Sequence, residues 1–422
     1  MAFQSPKGTK DVLPDEQPYW QLVEETARKI VRLYGYGRID LPVFEETALY
    51  QRGVGAGTDI VEKEMYTFED KGGTLLTLRP EFTAGVMRAY LENGMAQRPH
   101  PVKVWSMGPV FRYERPQAGR FRQHTQFNVE AIGEQDPALD FEIMSVAYQL
   151  YAELGFRNLA FQINSIGCPK CRPAYLEKLS FYYKSRIDSA CDDCKKRLSK
   201  NPLRLLDCKV PSCQPAIGGA PAISDSLCPE CAGHFSTLRQ YLEDHHRPYT
   251  LNSRLVRGLD YYTKTVFEVW AEGIGAQNAV CGGGRYDGLS EAIGGPPTPG
   301  VGFASGMERI VLTLKHQSLG NVPEQTPEVF LAHMGKGAER KAVELLSALR
   351  SAGIEAVMGF GDRSFKAQMR EANSRGARHV ALIGESEMSG GVVQVKSMKD
   401  GSQTEVRWEA LAGHLRNRGN AT

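Results

Sequence analysis

No run of this chain approaches the roughly 20 apolar residues that a membrane-spanning helix needs, so a membrane location is not expected. Neither sign of charge dominates. The 51 basic residues stand against 49 acidic ones, a net charge of +2, so any contact with a polyanion must be local rather than a property of the whole surface. The opening Met-Ala-Phe-Gln-Ser-Pro-Lys-Gly has no apolar segment of the kind that directs secretion, and it is not an Arg-rich amphipathic leader. The cytoplasm is the expected location. Internal repeats and low-complexity tracts are also missing.

What is present is an ordinary globular composition, 41% hydrophobic and 24% charged over 422 residues, enough chain for two or three separate cores. Apolar side chains at Leu22, Val23, Ala27, Ile30, Val31 and Tyr34 recur near helical spacing and predict a helix stopped by Gly35 and Gly37. Short alternating runs at Lys103–Met107, Phe127–Ile132, Ala160–Asn164 and Thr265–Trp270 predict strands. Between Cys168 and His246 the texture changes to cysteine doublets, basic residues and helical stretches, and strand-like sequence resumes at Tyr249, the pattern of an insertion into a sheet domain. The polar, Pro-containing stretch Gly320-Asn-Val-Pro-Glu-Gln-Thr-Pro327 has the composition of an interdomain linker. Beyond it, strand (Val329–Ala332), helix (Glu339–Ser351), strand (Ile354–Val357), helix (Phe365–Ser374) and strand (His379–Ile383) alternate as in a small α/β domain. The class is α+β, with a sheet-dominated body.

Four segments concentrate chemistry. Phe111-Arg112-Tyr113-Glu114 leads through the loop Arg115–Arg122 into Gln126-Phe-Asn-Val-Glu130. If both flanks are strands, Arg112 shares a surface with Glu114, and Gln126 with Glu130. In Leu255-Val-Arg-Gly-Leu-Asp-Tyr-Tyr-Thr263 a single Arg257 sits among apolar residues and needs an anion; either Asp260 or a ligand carboxylate or phosphate would serve. If that run is a strand, Tyr261 and Tyr262 project to opposite faces. Cys281-Gly-Gly-Gly-Arg-Tyr-Asp-Gly-Leu289 has glycines that let backbone approach a ligand. It lacks the Gly-Lys-Ser/Thr ending of a P-loop and the Gly-x-Gly-x-x-Gly spacing of a dinucleotide site, so kinase, NTPase and dehydrogenase readings lose support. Last, Gly300-Val-Gly-Phe-Ala-Ser-Gly-Met-Glu-Arg309 predicts a strand entering an amphipathic helix with Arg309 in its first turn, an anion site at a helix start.

Eight of the nine cysteines fall into close pairs: Cys168 with Cys171, Cys191 with Cys194, Cys208 with Cys213, and Cys228 with Cys231. In a cytosolic chain such doublets point to metal rather than to disulfides. Two sites of four thiolates, each around a structural Zn²⁺, are the simplest accounting; reduced unbound thiols and a redox role are the other readings. Cys281 is unpaired and reads as a small packed residue. The basic stretch Lys195–Arg204 is a candidate for nucleic-acid phosphate contact or a solvated face.

Taken together in chain order, Pro42 within Gly35-Tyr-Gly-Arg-Ile-Asp-Leu-Pro-Val, then Arg112 with Glu114, then Gly306-Met-Glu-Arg309 resemble the three signature motifs of class II aminoacyl-tRNA synthetases. Leu255–Tyr262 and Gly283-Gly-Arg-Tyr-Asp-Gly resemble the two signatures peculiar to the histidyl-tRNA synthetases, and Pro6-Lys-Gly-Thr-Lys-Asp resembles their amino-terminal opening. The resemblance spans nearly the whole chain. It implies a class II antiparallel-sheet catalytic domain (1–167 and 249–320), a Cys-rich, mainly helical insertion (168–248) and a C-terminal α/β anticodon-binding domain (327–422) of the class IIa type. It implies ATP-dependent activation of L-histidine to histidyl-adenylate with release of pyrophosphate, then transfer to the 3′ end of tRNA(His). Mg²⁺ is the implied ion and a homodimer the implied assembly.

Carried to this chain's positions, the resemblance assigns Arg112, Arg257 and Arg309 to catalysis and Arg112, Glu114, Arg120, Arg257 and Arg309 to ATP. Glu81, Thr83 and Gln126 are assigned to the histidine α-amino group, Glu130 and Tyr262 to the two imidazole nitrogens, and Tyr261 and Tyr286 to the same wall. Arg257 would bridge the substrate carboxylate and the α-phosphate. The chain departs from the usual pattern at His124-Thr125, where an aromatic residue is more common at the first position, and at Phe82, which replaces a smaller residue. A carboxylate with a pKa of about 3.5 is already ionised at neutral pH, so no general base is needed. What the step needs is cation density around the phosphate. A carboxylate opposite a phenol can satisfy one imidazole donor and one acceptor, and a site of that kind discriminates by roughly 10⁴ to 10⁵ without a separate editing domain. The rival within the resemblance is the catalytically silent histidine-binding regulatory paralogue of histidine biosynthesis, which lacks the terminal anticodon-like domain.

Overall fold

The computed structural model describes residues 3–115, 119–272, 279–322 and 326–419, and divides into two compact units between Val322 and Pro323. Residues 116–118 of the Arg-rich loop and 323–325 of the expected linker lie outside the described residues.

In the first unit the helix Gln17–Leu33 buries Val23, Ala27, Ile30 and Val31 on one face, the stripe that its apolar spacing predicts. Among the described residues, eight strands form one sheet. Their order is Gly37–Arg38, Val102–Phe111, Gln123–Ile132, Gly300–Gly306, Ala279–Arg285, Thr263–Trp270, Ala160–Ser165 and Tyr249–Leu251. The two outermost pairings are parallel and the rest antiparallel. All four strands expected from alternation are present, each longer than its apolar run.

Side chains alternate across a strand, and here the alternation separates architecture from chemistry. Phe127, Val129, Ala131, Phe267, Val269, Val301 and Phe303 face the helices Gln17–Leu33, Pro137–Glu153 and Met307–Gln317 and join their core. The intervening Gln126, Asn128, Glu130 and Glu268, with Gly282 and Gly302 beside them, belong to the other face. On that side the insertion contributes Tyr175, Leu179, Leu205 and Ile217 to a second core shared with Tyr50, Val54, Tyr261 and Tyr262.

Two local expectations are corrected. The first concerns Arg112 and Glu114: the strand ends at Phe111 and both lie in the irregular segment that follows, so strand alternation is not what aligns them. The amide of Arg112 still bonds the carbonyl of Arg122 at 2.8 Å and that of Tyr113 the carbonyl of Glu64 at 2.7 Å, and this pairing holds the segment. The second concerns the run before Thr263, which is also irregular, with the strand starting only at Thr263. Tyr261 and Tyr262 therefore do not project to opposite faces; their ring centroids are 4.7 Å apart.

The second unit has a five-stranded sheet among the described residues, ordered Ala356–Met358, Val329–His333, His379–Ile383, Val392–Ser397 and Gln403–Arg407. The first two pairings are parallel and the last two antiparallel. The helix Phe365–Ser374 has the expected bounds, Lys336–Ser351 starts before the expected Glu339, and the strand expected at Ile354–Val357 lies at Ala356–Met358. The hairpin of Val392–Ser397 with Gln403–Arg407 and the helix Leu411–Gly419 extend the alternation beyond the segment read from sequence.

Candidate active site

Four arginines singled out from the sequence, Arg112, Arg120, Arg257 and Arg309, line one cavity of about 280 Å³ on the polar side of the sheet. Each is fastened by part of its guanidinium. The Arg112 Nε donates to the Pro80 carbonyl at 2.8 Å, and the Arg309 Nη1 to the Ala279 carbonyl at 2.6 Å. Arg120 stands 3.5 Å from Glu114, and Arg112 is 4.0 Å from the same carboxylate. Arg257 donates to Glu268 Oε1 at 2.7 Å, while Glu268 Oε2 accepts from the Trp270 indole at 3.0 Å. Glu268, not Asp260, is thus the partner of Arg257; Asp260 accepts from Asn201 instead, at 2.6 Å. Burial and the nearby Arg120 both lower the pKa of Arg309, a strain that an anion between the two cations would relieve. Arg309 sits in the first turn of the helix Met307–Gln317, as the sequence predicts.

A second cavity, of about 160 Å³, shares Arg112, Arg257 and Gly282 with the first. Glu81, Thr83, Gln126, Tyr261, Tyr262 and Tyr286 line it. Glu81 is 3% exposed and accepts the Thr83 amide at 2.6 Å and the Ala84 amide at 2.9 Å at the start of the helix Thr83–Glu92. Burial raises its pKa. Gln126 Oε1 is buried and has no protein partner among the described residues, so it is available to a donor in the cavity.

Glu130 is set behind this lining rather than within it. Its Oε1 accepts from Thr83 Oγ1 at 2.5 Å and from Asn128 Nδ2 at 3.1 Å, and its Oε2 from the Tyr286 hydroxyl at 2.6 Å. The carboxylate lies over its cross-strand neighbour Gly302, where a Cβ would overlap Oε2. Gly302 itself lines the cavity. Burial pushes the Glu130 pKa up to about 7 against these three hydrogen bonds. Gly282 has a similar reason to be glycine: a Cβ there would overlap the Arg257 guanidinium.

Several participants were not legible beforehand. Glu268 is one, although a lone acid between Phe267 and Val269 in an expected strand is a usable signal. His124, read only as a departure from pattern, lines the arginine chamber. Burial takes its pKa down to about 4, and its Nδ1 has no protein partner among the described residues. Within Gly283-Gly-Arg-Tyr-Asp-Gly, Tyr286 reaches the small cavity, while Arg285 is fully buried and bonds Asp140 Oδ2 at 2.7 Å and Asp287 Oδ1 at 3.2 Å. Cys281 is buried and its thiol pKa is pushed up to about 12, in keeping with a packed, unreactive group. In the basic stretch, Arg197 and Arg204 pair with Asp59 and Lys200 with Glu62, so these three cations are engaged within the chain. The eight clustered cysteines gather into two quartets, Cys168, Cys171, Cys228 and Cys231, and Cys191, Cys194, Cys208 and Cys213.

A family model described as histidyl-tRNA synthetase matches residues 8–170 and 224–310. The chain belongs to the histidyl-tRNA synthetase family. A model described as an anticodon binding domain matches residues 328–418. Curated relatives named histidine–tRNA ligase include one from Pelotomaculum thermopropionicum, 52% identical over 99% of this chain and 98% of its own length. Another, from Dehalococcoides mccartyi, is 51% identical over 97% and 98%. The crystal structure of the apo histidyl-tRNA synthetase of S. aureus superposes with a TM-score of 0.83 at 36% identity, covering 98% of this chain and all of that one. The fold is accordingly the class II one of this family, with a mixed α+β, antiparallel-rich sheet, a Cys-rich helical insertion and a C-terminal anticodon-binding domain. No helix among the described residues is long and apolar enough to cross a membrane.

Proposed function

We propose that the chain is a histidine–tRNA ligase that activates L-histidine with ATP and esterifies it to the 3′ end of tRNA(His) in the cytoplasm. The observation that carries this reading is the pair of adjoining cavities, one lined by four guanidinium groups and one by buried tyrosines and the Glu81 carboxyl, sharing Arg257 and Arg112. The larger cavity takes the ATP phosphates through Arg112, Arg120 and Arg309, with Glu114 orienting the nucleotide. The smaller takes histidine, its amino group toward Glu81, Thr83 and Gln126.

Arg257, common to both walls, holds the histidine carboxylate against the α-phosphate. The carboxylate oxygen attacks the α-phosphorus, forming the acyl phosphate bond as the bond to pyrophosphate breaks. The arginines stabilise charge growing on the phosphoryl oxygens, and because each is already tied to protein they need little reorganisation during the step. A terminal tRNA hydroxyl then attacks the activated carbonyl and AMP leaves.

Imidazole selection rests on Tyr262 and on Glu130 across the gap that Gly302 leaves open. With a pKa near 7, Glu130 can accept or donate, as the ring nitrogen facing it requires. Glu114 and Glu268 are carboxylates of the larger chamber and offer the oxygen donors a Mg²⁺ takes, so the residues present fit that ion. When bound, it neutralises triphosphate charge. Structural Zn²⁺ in the two cysteine quartets belongs to the same reading.

The domain assignment that goes with it is 1–167 and 249–320 for catalysis, 168–248 for the insertion and 327–422 for the anticodon. Phe360, exposed just after the strand Ala356–Met358, offers a ring on which an unstacked base can rest. A homodimer is supported by the exposed apolar side chains Val43, Phe44, Phe68 and Leu75 near the first motif, a cluster that a second copy would cover. The regulatory-paralogue reading is not favoured, because the match to the ligases runs through the terminal domain as well.

Histidine-dependent exchange of labelled pyrophosphate into ATP tests the proposal. Exchange with histidine is expected; no exchange, or exchange driven by another amino acid, would overturn it. Arg257→Ala should reduce exchange on the order of 10³-fold with unchanged circular dichroism, and a full-rate variant would remove the bridging role.

A further inference from the structure

The doublets Cys168/Cys171 and Cys228/Cys231 are brought together from the two ends of the insertion, and Cys191/Cys194 meets Cys208/Cys213 in its middle. Within each quartet all four Sγ atoms lie within 4.8 Å of one another. In the first, Cys168 is 3.8 Å from both Cys171 and Cys228, and Cys171 is 3.9 Å from Cys231. In the second, Cys191 is 3.8 Å from Cys208, and Cys213 is 3.9 Å from Cys194. A tetrahedron with metal–sulfur bonds of about 2.3 Å has edges of about 3.8 Å, so both quartets have the dimensions of a mononuclear tetrathiolate site. A disulfide would bring two sulfurs to about 2.05 Å. Backbone amides also point at sulfur, Cys168 N to Cys171 Sγ at 3.3 Å, Cys191 N to Cys213 Sγ at 3.3 Å and Val210 N to Cys208 Sγ at 3.4 Å. Such donors stabilise thiolate ligands and fix their orientation.

Both quartets are wired to the wall of the smaller cavity. Arg172, the residue after Cys171, donates to the carbonyls of Ile166 and Gly167 at 3.1 Å each and to that of Tyr262 at 2.6 Å. Glu230, between Cys228 and Cys231, accepts from the buried Lys264 at 3.0 Å. From the second quartet, the helix Asp192–Lys200 and the turn after it reach Asp59 through Arg197 at 2.8 Å and Asp260 through Asn201 at 2.6 Å. Asp59 and Asp260 are each next in chain to a lining residue, Ile60 and Tyr261. No comparable contact joins either quartet to the arginine chamber among the described residues.

We propose that the two quartets are independent Zn²⁺ sites, two ions per chain, and that the metals hold in place the wall formed by Ile60, Tyr261 and Tyr262, so that losing either ion weakens histidine binding selectively. The proposal rests on the reading of the smaller cavity as the histidine site. Arg172 is a positioning residue: it acts on Tyr262 through the backbone.

The test uses the full-length protein as purified. Elemental mass spectrometry should find two zinc ions per chain, and X-ray absorption at the zinc edge should find four sulfurs at about 2.3 Å. Cys171→Ser and Cys194→Ser should each retain one ion and raise the KM for histidine about tenfold, with the KM for ATP within about twofold of the parent. Arg172→Ala should retain both ions and still raise the histidine KM; it keeps the test decisive if a cysteine variant fails to fold. Fewer than two zinc ions, or iron in their place, would overturn the metal assignment. Unchanged histidine KM in Arg172→Ala, or equal rises for histidine and ATP, would overturn the coupling. If the parent shows no histidine-dependent exchange, the functional reading fails while the zinc count stands on its own.

Discussion

The arginine chamber and the tyrosine chamber adjoin, yet they recognise by different physics. In the first, guanidinium groups stand partly open and paired, each tied by part of its donor set, so an incoming phosphate meets charge already in position. In the second, Glu81, Glu130 and the tyrosines are buried and bonded to one another, so a ligand must match a nearly complete polar network. A phosphate site can tolerate a small shift of a cation that stays in the chamber, because Coulomb attraction falls slowly with distance. A buried network cannot, since an unmatched group loses its hydrogen bond in a place where water does not replace it.

The sharpest way to break this contrast is to remove one arginine from the larger chamber only. Arg309→Ala should lower kcat/KM for ATP by about 10² to 10³ with histidine KM little changed; a rise in histidine KM matching that for ATP would mean that the chambers do not act separately. Gly302→Ala should do the reverse. Its Cβ would overlap Glu130 Oε2, a destabilisation of about 1–3 kcal/mol accompanied by loss of histidine affinity, read as melting temperature and histidine KM. Normal histidine KM would show that Glu130 is not felt through that gap.

A pH series sharpens the account of Glu130 itself. Burial lifts its pKa from an ordinary 4.5 to about 7, so the folded state binds a proton that the unfolded state has already released. Its contribution to stability is complete below about pH 4.5 and is lost as pH rises to about 7. Glu130→Gln removes this dependence, so parent melting temperature should fall relative to the variant across that window; parallel curves would place Glu130 as an ordinary carboxylate. The smallest effect is expected in the other unit, where Phe360→Ala should raise the KM for tRNA by about fivefold, about 1 kcal/mol of base stacking, without altering pyrophosphate exchange.

Much of this was readable from the chain alone, for definite reasons. Alternation in Gln126–Glu130 and Thr265–Trp270 identified strands and their polar face because a strand's period is a local property. The apolar stripe of the first helix and the position of Arg309 in a first turn are local as well. Tyr261 and Tyr262 escaped the same logic because their segment is irregular, bent to place both rings beside the cavity. Arg112 and Glu114 converge through a loop rather than along a strand.

Sequence by itself determined the types of group available: arginines in number, a lone acid in a strand, paired cysteines, glycines where side chains crowd. Only the tertiary structure decided their partners. It joined Arg257 to Glu268 rather than Asp260, Glu130 to Thr83 and Tyr286, and the first cysteine doublet to the fourth. Spacing along a chain constrains neighbours within a few residues, whereas these pairs are brought together by strand order and by the return path of the insertion.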